Sequence, residues 1–376
     1  ALWSRGLMLA LSNVSLVALF IEYAHAQVVK FAKTYGRTGS DVASSVQQTS
    51  DGGYIVAGTT TSSIWNDVFL FKTDANGNRI WAKIYGGAME DRASSVQQTS
   101  DGGYIVAGIT WSFGAGNWDI FLIKTNSSGN IIWAKTYGGT YWDEVSSVQQ
   151  TSDGGYILAG YTESFGAGGA DFFLIKTDAN GNVQWAKTYG GTDYDYASSF
   201  QKTSDGGYIV AGRTRSFGAA WYDILLIKTD ANGNVEWAKT YGGTGYEEAF
   251  SVQQTSDGGY IVAGRTSSFG AGWDNILLIK TDANGNVQWA KTYGGTYWSI
   301  AHSVQQTSDG GYILAGWTNS FGAGNGDVFL IKTDANGNVE WAKTYGGTDW
   351  DIAHSVQQTS DGGYILAGWT NSFGAG

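Results

Sequence analysis

The sequence predicts an all-β fold, a seven-bladed β-propeller with four-stranded antiparallel blades. Three observations predict it. Trp-Ala-Lys recurs at Trp81, Trp133, Trp185, Trp237, Trp289 and Trp341, with Phe-Ala-Lys at Phe31, at an interval of 50 residues once and 52 five times; a period near 50 is that of propeller blades or solenoids. Each interval holds four short runs rich in β-branched and aromatic residues, bounded by Gly, Asn, Asp or Ser. SVQQTSDGGYIVAG at 45–58 returns unchanged at 95–108 and as SVQQTSDGGYILAG at 303–316 and 355–368.

The first residues stand outside the repeat. Arg5, the mostly apolar run 7–21, Ala-His-Ala at 24–26 and then Gln27 match a secretory signal peptide cut after Ala26. The run is short for a membrane span and carries Ser12, Asn13 and Ser15, so no stable span is expected in the mature chain. A second reading makes residues 17–23 a strand. Aligned on Phe31, VALFIEYAHAQVVKFAK (17–33) sits where DILLIKTDANGNVEWAK (223–239) sits, with LFIEY in place of LLIKT and AHAQ in place of the Asn-Gly turn.

Residues 27–376 then form one domain of seven repeats. Taking Trp-Ala-Lys as the opening of a unit, VEWAKTYGG (235–243) is the first strand, AFSVQQT (249–255) the second, GYIVAGRT (259–266) the third and NILLIKTD (275–282) the fourth. The second and third are joined by SDGG, and the fourth meets the next first strand through ANGN. Asp-Gly and Asn-Gly supply the positive φ angles of tight hairpins, so these neighbours are antiparallel, as in a blade and unlike a β-helix. The last repeat lacks its own fourth strand before Gly376. The open edge must be paired by chain beyond Gly376 or by the N-terminal segment.

GGTDYDYASS, DGGYIVAG and DILLIKTDANGNVEWAKTYGG, with their copies over 31–376, resemble the β-propeller repeat of secreted and surface proteins of bacteria and archaea. The resemblance implies an extracellular propeller, often seven-bladed, and no defined activity. DANGNVEW is also similar to the tryptophan-docking turn of quinoprotein dehydrogenases.

A net charge of -11 argues against nucleic acid and anionic membrane surfaces, whose affinity for proteins comes from basic groups. Without cysteine there is no disulfide, zinc ribbon or thiol nucleophile. Strands and tight turns barely change between copies, whereas the loops after Tyr-Gly-Gly and after the third strand change freely. Both loops leave the same side of an up-and-down blade, so the variation gathers on one face, as a rigid scaffold presents a recognition surface. The first loop places Trp142, Tyr194, Tyr246, Trp298 and Trp350 at one position, followed by Asp143, Asp195, Glu247 and Asp351, with Ser299 as the exception. The other begins near Tyr161, Arg213, Arg265, Trp317 and Trp369. An aromatic plane beside a carboxylate suits a sugar. The competing reading is that the acids bond loop amides, since Asp41 and Asp91 share their position without the aromatic.

Other features are structural on this reading. TDANGN carries oxygen ligands but lacks the spacing of a calcium loop. The repeated Trp residues pack blades. His302 and His354 are equivalent positions without a third partner for metal or acid–base work, and His25 lies in the leader. Arg213 and Arg215 could pair with acids or anions, and repeated loop acids are not one special catalytic pair. The expectation is a non-catalytic binding or display module, secreted or at the cell surface, without cofactor or metal, recognising glycans or other surface proteins. A purely structural or filament-forming module, self-associating by donating the leader strand, is the second reading. A quinoprotein-like or hydrolytic enzyme is the third.

Overall fold

The computed structural model describes residues 17–22, 29–36, 39–61, 64–219 and 221–373. All named elements are strands, and they form four-stranded antiparallel sheets around a central channel. The arrangement is a β-propeller.

Six blades are cut from consecutive strands: 41–85, 91–137, 143–189, 195–241, 247–293 and 299–345. The remaining sheet is composite. It joins Asp351–Gln358 and Tyr364–Thr370 from the end of the chain to Val17–Glu22 and Val29–Tyr35 from its start. Ile21 pairs with Ile365 on one side and Phe31 on the other. The expected seven repeating blades are thereby corrected to six blades of consecutive strands closed by one sheet shared between both ends. The expected cleavage after Ala26 lies outside the described residues, as does His25.

The unit boundary is corrected too. Trp-Ala-Lys does not open a blade. Val287–Tyr293 is the outermost strand of the sheet that begins with Glu247–Gln254, and it pairs with Asn275–Thr281 through the Asn-Gly hairpin. The Tyr-Gly-Gly loop therefore crosses between blades, and the longer Ser-Phe-Gly loop stays within one.

Physical reasons for each strand type follow from its place. In Tyr54–Thr61, Ile55 and Ala57 pack against Val96, Tyr104 and Val106 of the next blade, whereas Val56 packs with Ile365 and Ala367 of the closing sheet. A strand buried on both faces needs a continuous apolar run, which is what Tyr-Ile-Val-Ala-Gly provides. Each such Ile or Leu contributes about 1.5–3 kcal/mol on burial. The innermost strands touch around the ring, and their Gln-Gln pairs join them. Gln47 Oε1 accepts the Gln98 amide at 2.6 Å, Gln97 accepts Gln150 at 2.5 Å, and the series runs on to Gln357, which accepts the Gln48 amide at 2.8 Å. The second glutamine accepts from the hairpin of the blade before it, as Ser50 N–H donates to Gln98 Oε1 at 2.8 Å.

The outermost strand grips the following blade as well. Trp185 meets Tyr208 edge-on at 6.2 Å, and the Tyr189 hydroxyl donates to the Gly233 carbonyl at 2.7 Å. Gly233 has φ +75°, and a Cβ there would lie 2.9 Å from Trp185 Cζ3, so both the turn and the contact demand glycine. The Asp230 carboxylate of this turn accepts the amides of Asn232 and Asn234 at 2.8 Å each and the Asn234 side chain at 2.8 Å. Its oxygens serve the hairpin.

Within each blade a lysine is buried beside the Asp-Gly-Gly hairpin. Lys228 Nζ lies 2.8 Å from Asp205 and donates to the Thr229 carbonyl at 2.8 Å. In the closing sheet the same hairpin carboxylate, Asp361, meets Lys30 at 3.5 Å.

Candidate functional site

The innermost strands run from one mouth of the channel, at Asp41, Asp91 and their counterparts, to the other, lined by Gln47, Gln97 and Gln149. Both variable loops open at the first mouth. The four acids weighed there as sugar contacts or as loop ties are fastened into the loops. Asp143 accepts the Gly139 amide at 2.8 Å, the Ser164 hydroxyl at 2.7 Å and the Thr162 hydroxyl. Asp195 accepts Gly191 at 2.8 Å, Ser216 at 2.7 Å and Thr214. Glu247 holds Gly243 at 2.8 Å and Thr266 at 2.7 Å, and Asp351 holds Gly347 at 2.9 Å, Ser372 at 2.6 Å and Thr370. All four are at most 2% exposed. A buried carboxylate with its lone pairs engaged cannot also accept sugar hydroxyls. Of the two readings of Asp143, Asp195, Glu247 and Asp351, these bonds favour loop fastening over sugar contact.

Each has a second acid beside it, at the start of the third strand of the preceding blade. Asp119, Asp171, Asp223 and Asp327 accept loop amides, as Asp171 does from Ala167 at 2.6 Å. Burial, and then the neighbouring acid, push their carboxyls above the ordinary range. Amide bonding partly offsets these effects in all four, Asp171 included, and Asp171 Oδ1 is buried with no partner among the described residues. At one place both acids are replaced together, by Asn275 and Ser299.

The residues that differ between copies sit together as a four-position patch on every blade. One residue precedes the fastening acid, one follows it, and two lie opposite on the adjacent strand. In the blade 143–189 these are Trp142 and Glu144, with Tyr161 paired to Glu144 and Glu163 N–H donating to the Trp142 carbonyl. The blade 195–241 presents Tyr194, Tyr196, Arg213 and Arg215. Tyr246, Glu248, Arg265 and Ser267 follow in 247–293, and Trp298, Ile300, Trp317 and Asn319 in 299–345. The closing sheet gives Trp350, Ile352, Trp369 and Asn371, blade 91–137 gives Glu90, Arg92, Ile109 and Trp111, and blade 41–85 gives Ser40, Val42, Thr59 and Thr61. The two sets of expected site residues, from Trp142 to Trp350 and from Tyr161 to Trp369, are thus brought side by side.

Between these patches is an open cavity of about 1010 Å³. It is displaced to one side of the channel. The bulged residue of each innermost strand is Ser44, Ser94, Ser146 and Ser198 on the open side. Opposite, it is Phe250, His302 and His354, whose rings follow one another at 5.0 and 5.1 Å. Burial, then the neighbouring His354 and Arg265, lower His302 to about 3, and burial lowers His354 to about 4, so both rings are neutral packing groups.

Most cations of the mouth are neutralised within it. Arg213 pairs with Glu248 at 2.5 Å and lies 4.5 Å over the Tyr196 ring. Arg265 pairs with Glu248 at 2.9 Å and Asp274 at 3.2 Å, and lies over Tyr246 at 4.2 Å. Arg92 is held by Glu90 at 2.7 and 2.5 Å. Among the described residues Glu144 accepts only the Tyr161 hydroxyl, at 2.8 Å; burial pushes its carboxyl up, and that bond with the nearby Arg92 and Arg213 partly offsets it. Glu163 has no side-chain partner among the described residues, and burial, then Asp143, raises it.

The rim of the mouth is aromatic, and Trp142 of this rim also lines the cavity. Trp142, Tyr194 and Trp298 are 45%, 41% and 42% exposed, and Trp221 and Trp273 each 69%. Trp118 meets Trp142 at 6.3 Å, and Trp273 meets Trp298 at 5.8 Å. Sequence reasoning missed Arg92, Glu144, Glu163, Tyr196 and Glu248 as lining residues, and Phe250 as a ring packed on the side opposite the cavity. The signal was present as variation inside otherwise constant strands, in ASSVQQ against AFSVQQ and AHSVQQ.

No family model matches the chain. Similarity to characterised sequences is distant: the regulatory protein FlaEY of Caulobacter vibrioides is 28% identical over 188 residues, covering 40% of this chain and 20% of that protein. The match therefore spans about one fifth of that relative's length. Among solved structures, the Pan2 WD40 domain of Neurospora crassa superposes with TM-score 0.55 at 12% identity, covering 89% of this chain and 90% of that one. YCF48 bound to D1 peptide superposes with TM-score 0.51 at 10% identity, covering 89% and 91%. These likenesses are of fold, and they support a β-propeller with repeated blades.

Proposed function

We propose that this chain is a non-catalytic recognition module that takes a glycan on its variable face and works outside the cell or at its surface. One observation carries the reading: the repeat departs from itself chiefly at the four-position patches around one mouth, while the interlocking strands and turns stay constant. Such divergence on a fixed scaffold is what ligand discrimination needs. Solvent-open aromatic planes at Trp142, Tyr194 and Trp298 fit the apolar faces of sugars. The pairing of most mouth charges with each other supports binding rather than chemistry. The extracellular setting rests on the resemblance to secreted propeller repeats and on the leader-like start.

A glycan array tests the reading. Binding to at least one neutral glycan class is expected, weakened about tenfold or more by Trp142→Ala with Trp298→Ala, as for loss of aromatic contact area. Absence of binding to every glycan, or affinity unchanged in the variant, would overturn it.

A further inference from the structure

We propose that the open side of the channel mouth is a subsite for a protonated amine carried by the ligand, seated against Glu144 and Glu163 with Trp142, Tyr161 and Tyr196 as its walls. The inference rests on the variable face being the recognition face, and it names the chemistry that one blade of that face selects. Cross-strand register brings Trp142, Glu144, Tyr161 and Glu163 to one patch of blade 143–189, and all four line the cavity. No other blade puts two carboxylates in its patch. Glu163 lacks a partner among the described residues, and Glu144 has one hydroxyl donor. A half-buried carboxylate without a donor is costly to keep dry, and an ammonium group supplies the missing donors.

The adjoining charges leave room for a cation. Arg92 is engaged by Glu90, and Arg213 and Arg265 share Glu248, with Asp274 as a further partner of Arg265. Arg215 meets Asp193 at 3.5 Å, so four guanidinium groups face six carboxylates: Glu90, Glu144, Glu163, Asp193, Glu248 and Asp274. Tyr161 stands edge-on to Tyr196 at 4.7 Å, and aromatic faces beside acids attract ammonium groups. The rest of the open side is hydroxyl-rich, with Ser94, Ser146 and Ser198 on its wall.

Amino sugars and lysine side chains share this chemistry, and the test separates them. Isothermal titration compares the free-amine glucosamine tetramer with its N-acetylated form, and a tetralysine peptide with its fully Nε-acetylated form, at low and high salt. The expected result is that the amine-bearing glucosamine tetramer binds about tenfold or more tightly than the acetylated one. The preference falls with salt and is lost in Glu144→Gln/Glu163→Gln. Glutamine still accepts from Tyr161, so the variant's thermal midpoint should be unchanged. If tetralysine shows this dependence and the sugar does not, the subsite stands with a peptide as the source of the amine. If neither amine outbinds its acetylated form, or the double variant keeps the preference, the proposal falls. Neutral glycans binding while no amine is preferred would remove the subsite and leave the recognition reading standing.

Discussion

Asp195 shows how a side chain at the mouth serves the scaffold. It gathers the Gly191 amide and the Ser216 and Thr214 hydroxyls, and it lies beside Asp171 across the junction between blades. Removing a buried acceptor strands its donors, at about 1–3 kcal/mol for each that finds no substitute. Asp195→Ser alone should therefore destabilise the protein by about 2 kcal/mol in urea unfolding. The chain itself contains the compensated form, Asn275 with Ser299. Asp171→Asn combined with Asp195→Ser should accordingly cost less than the two single changes summed, by about 1 kcal/mol in a double-mutant cycle. Strict additivity would refute the coupling. Glu144 and Glu163 each follow a member of the fastened pair Asp143–Thr162 by one position; among the described residues Glu144 accepts only the Tyr161 hydroxyl, and Glu163 has no side-chain partner.

At the scale of the strand, closure depends on Val17–Glu22. It lies between Tyr364–Thr370 and Val29–Tyr35, in the place that Asp223–Thr229 and its counterparts take in the blades of consecutive strands. A chain starting at Gln27, as cleavage of a signal peptide would produce, exposes the edge of Tyr364–Thr370. An unpaired edge recruits other strands. Such a chain should melt at lower temperature than one starting at Ala1 and should associate in a concentration-dependent way on size exclusion. Equal melting temperatures with both chains monomeric would show that the strand is dispensable. Mass spectrometry of the mature N-terminus then tells which of the two forms exists.

Over the whole molecule, repeated electrostatic units add. In six hairpins an aspartate meets a buried lysine. For Asp205, burial raises the carboxyl, but hydrogen bonds from Lys228, Thr203 and the Gly207 amide outweigh it and hold it at about 2. A carboxyl depressed from 3.8 to about 2 contributes stability that is present above pH 4 and lost as pH falls toward 2. The inter-blade acids act with the opposite sign: Asp119, Asp171, Asp223 and Asp327 are raised, so the stability their bound protons contribute is lost as pH rises through those raised values. The lowered group is the larger, so the urea midpoint should fall between about pH 4 and pH 2. A flat midpoint across that interval would contradict the ion-paired hairpins. The ring of glutamine bonds ties each such unit to the next, from Gln47 round to Gln357.

Strand types, hairpins and the face carrying variation were legible in the sequence, because turn chemistry and alternation are local. Asp-Gly-Gly and Asn-Gly determine which strands are neighbours, and the constancy of Trp-Ala-Lys follows from the glycine turn it must fit, as Trp185 fits Gly233. Neither hairpin says which long loop leaves the blade. Only the sheet order assigns Trp-Ala-Lys to the outer edge of the blade before it and unites the two ends of the chain in one sheet. The acids after the rim aromatics read in sequence either as ligands or as loop ties, because burial is not local; tertiary packing turned them inward onto Gly, Ser and Thr donors. Glu144 and Glu163 are nineteen positions apart, and cross-strand register alone makes them neighbours in the cavity. Local chemistry determined the repeated scaffold, and packing around the channel decided which departures from the repeat face a ligand.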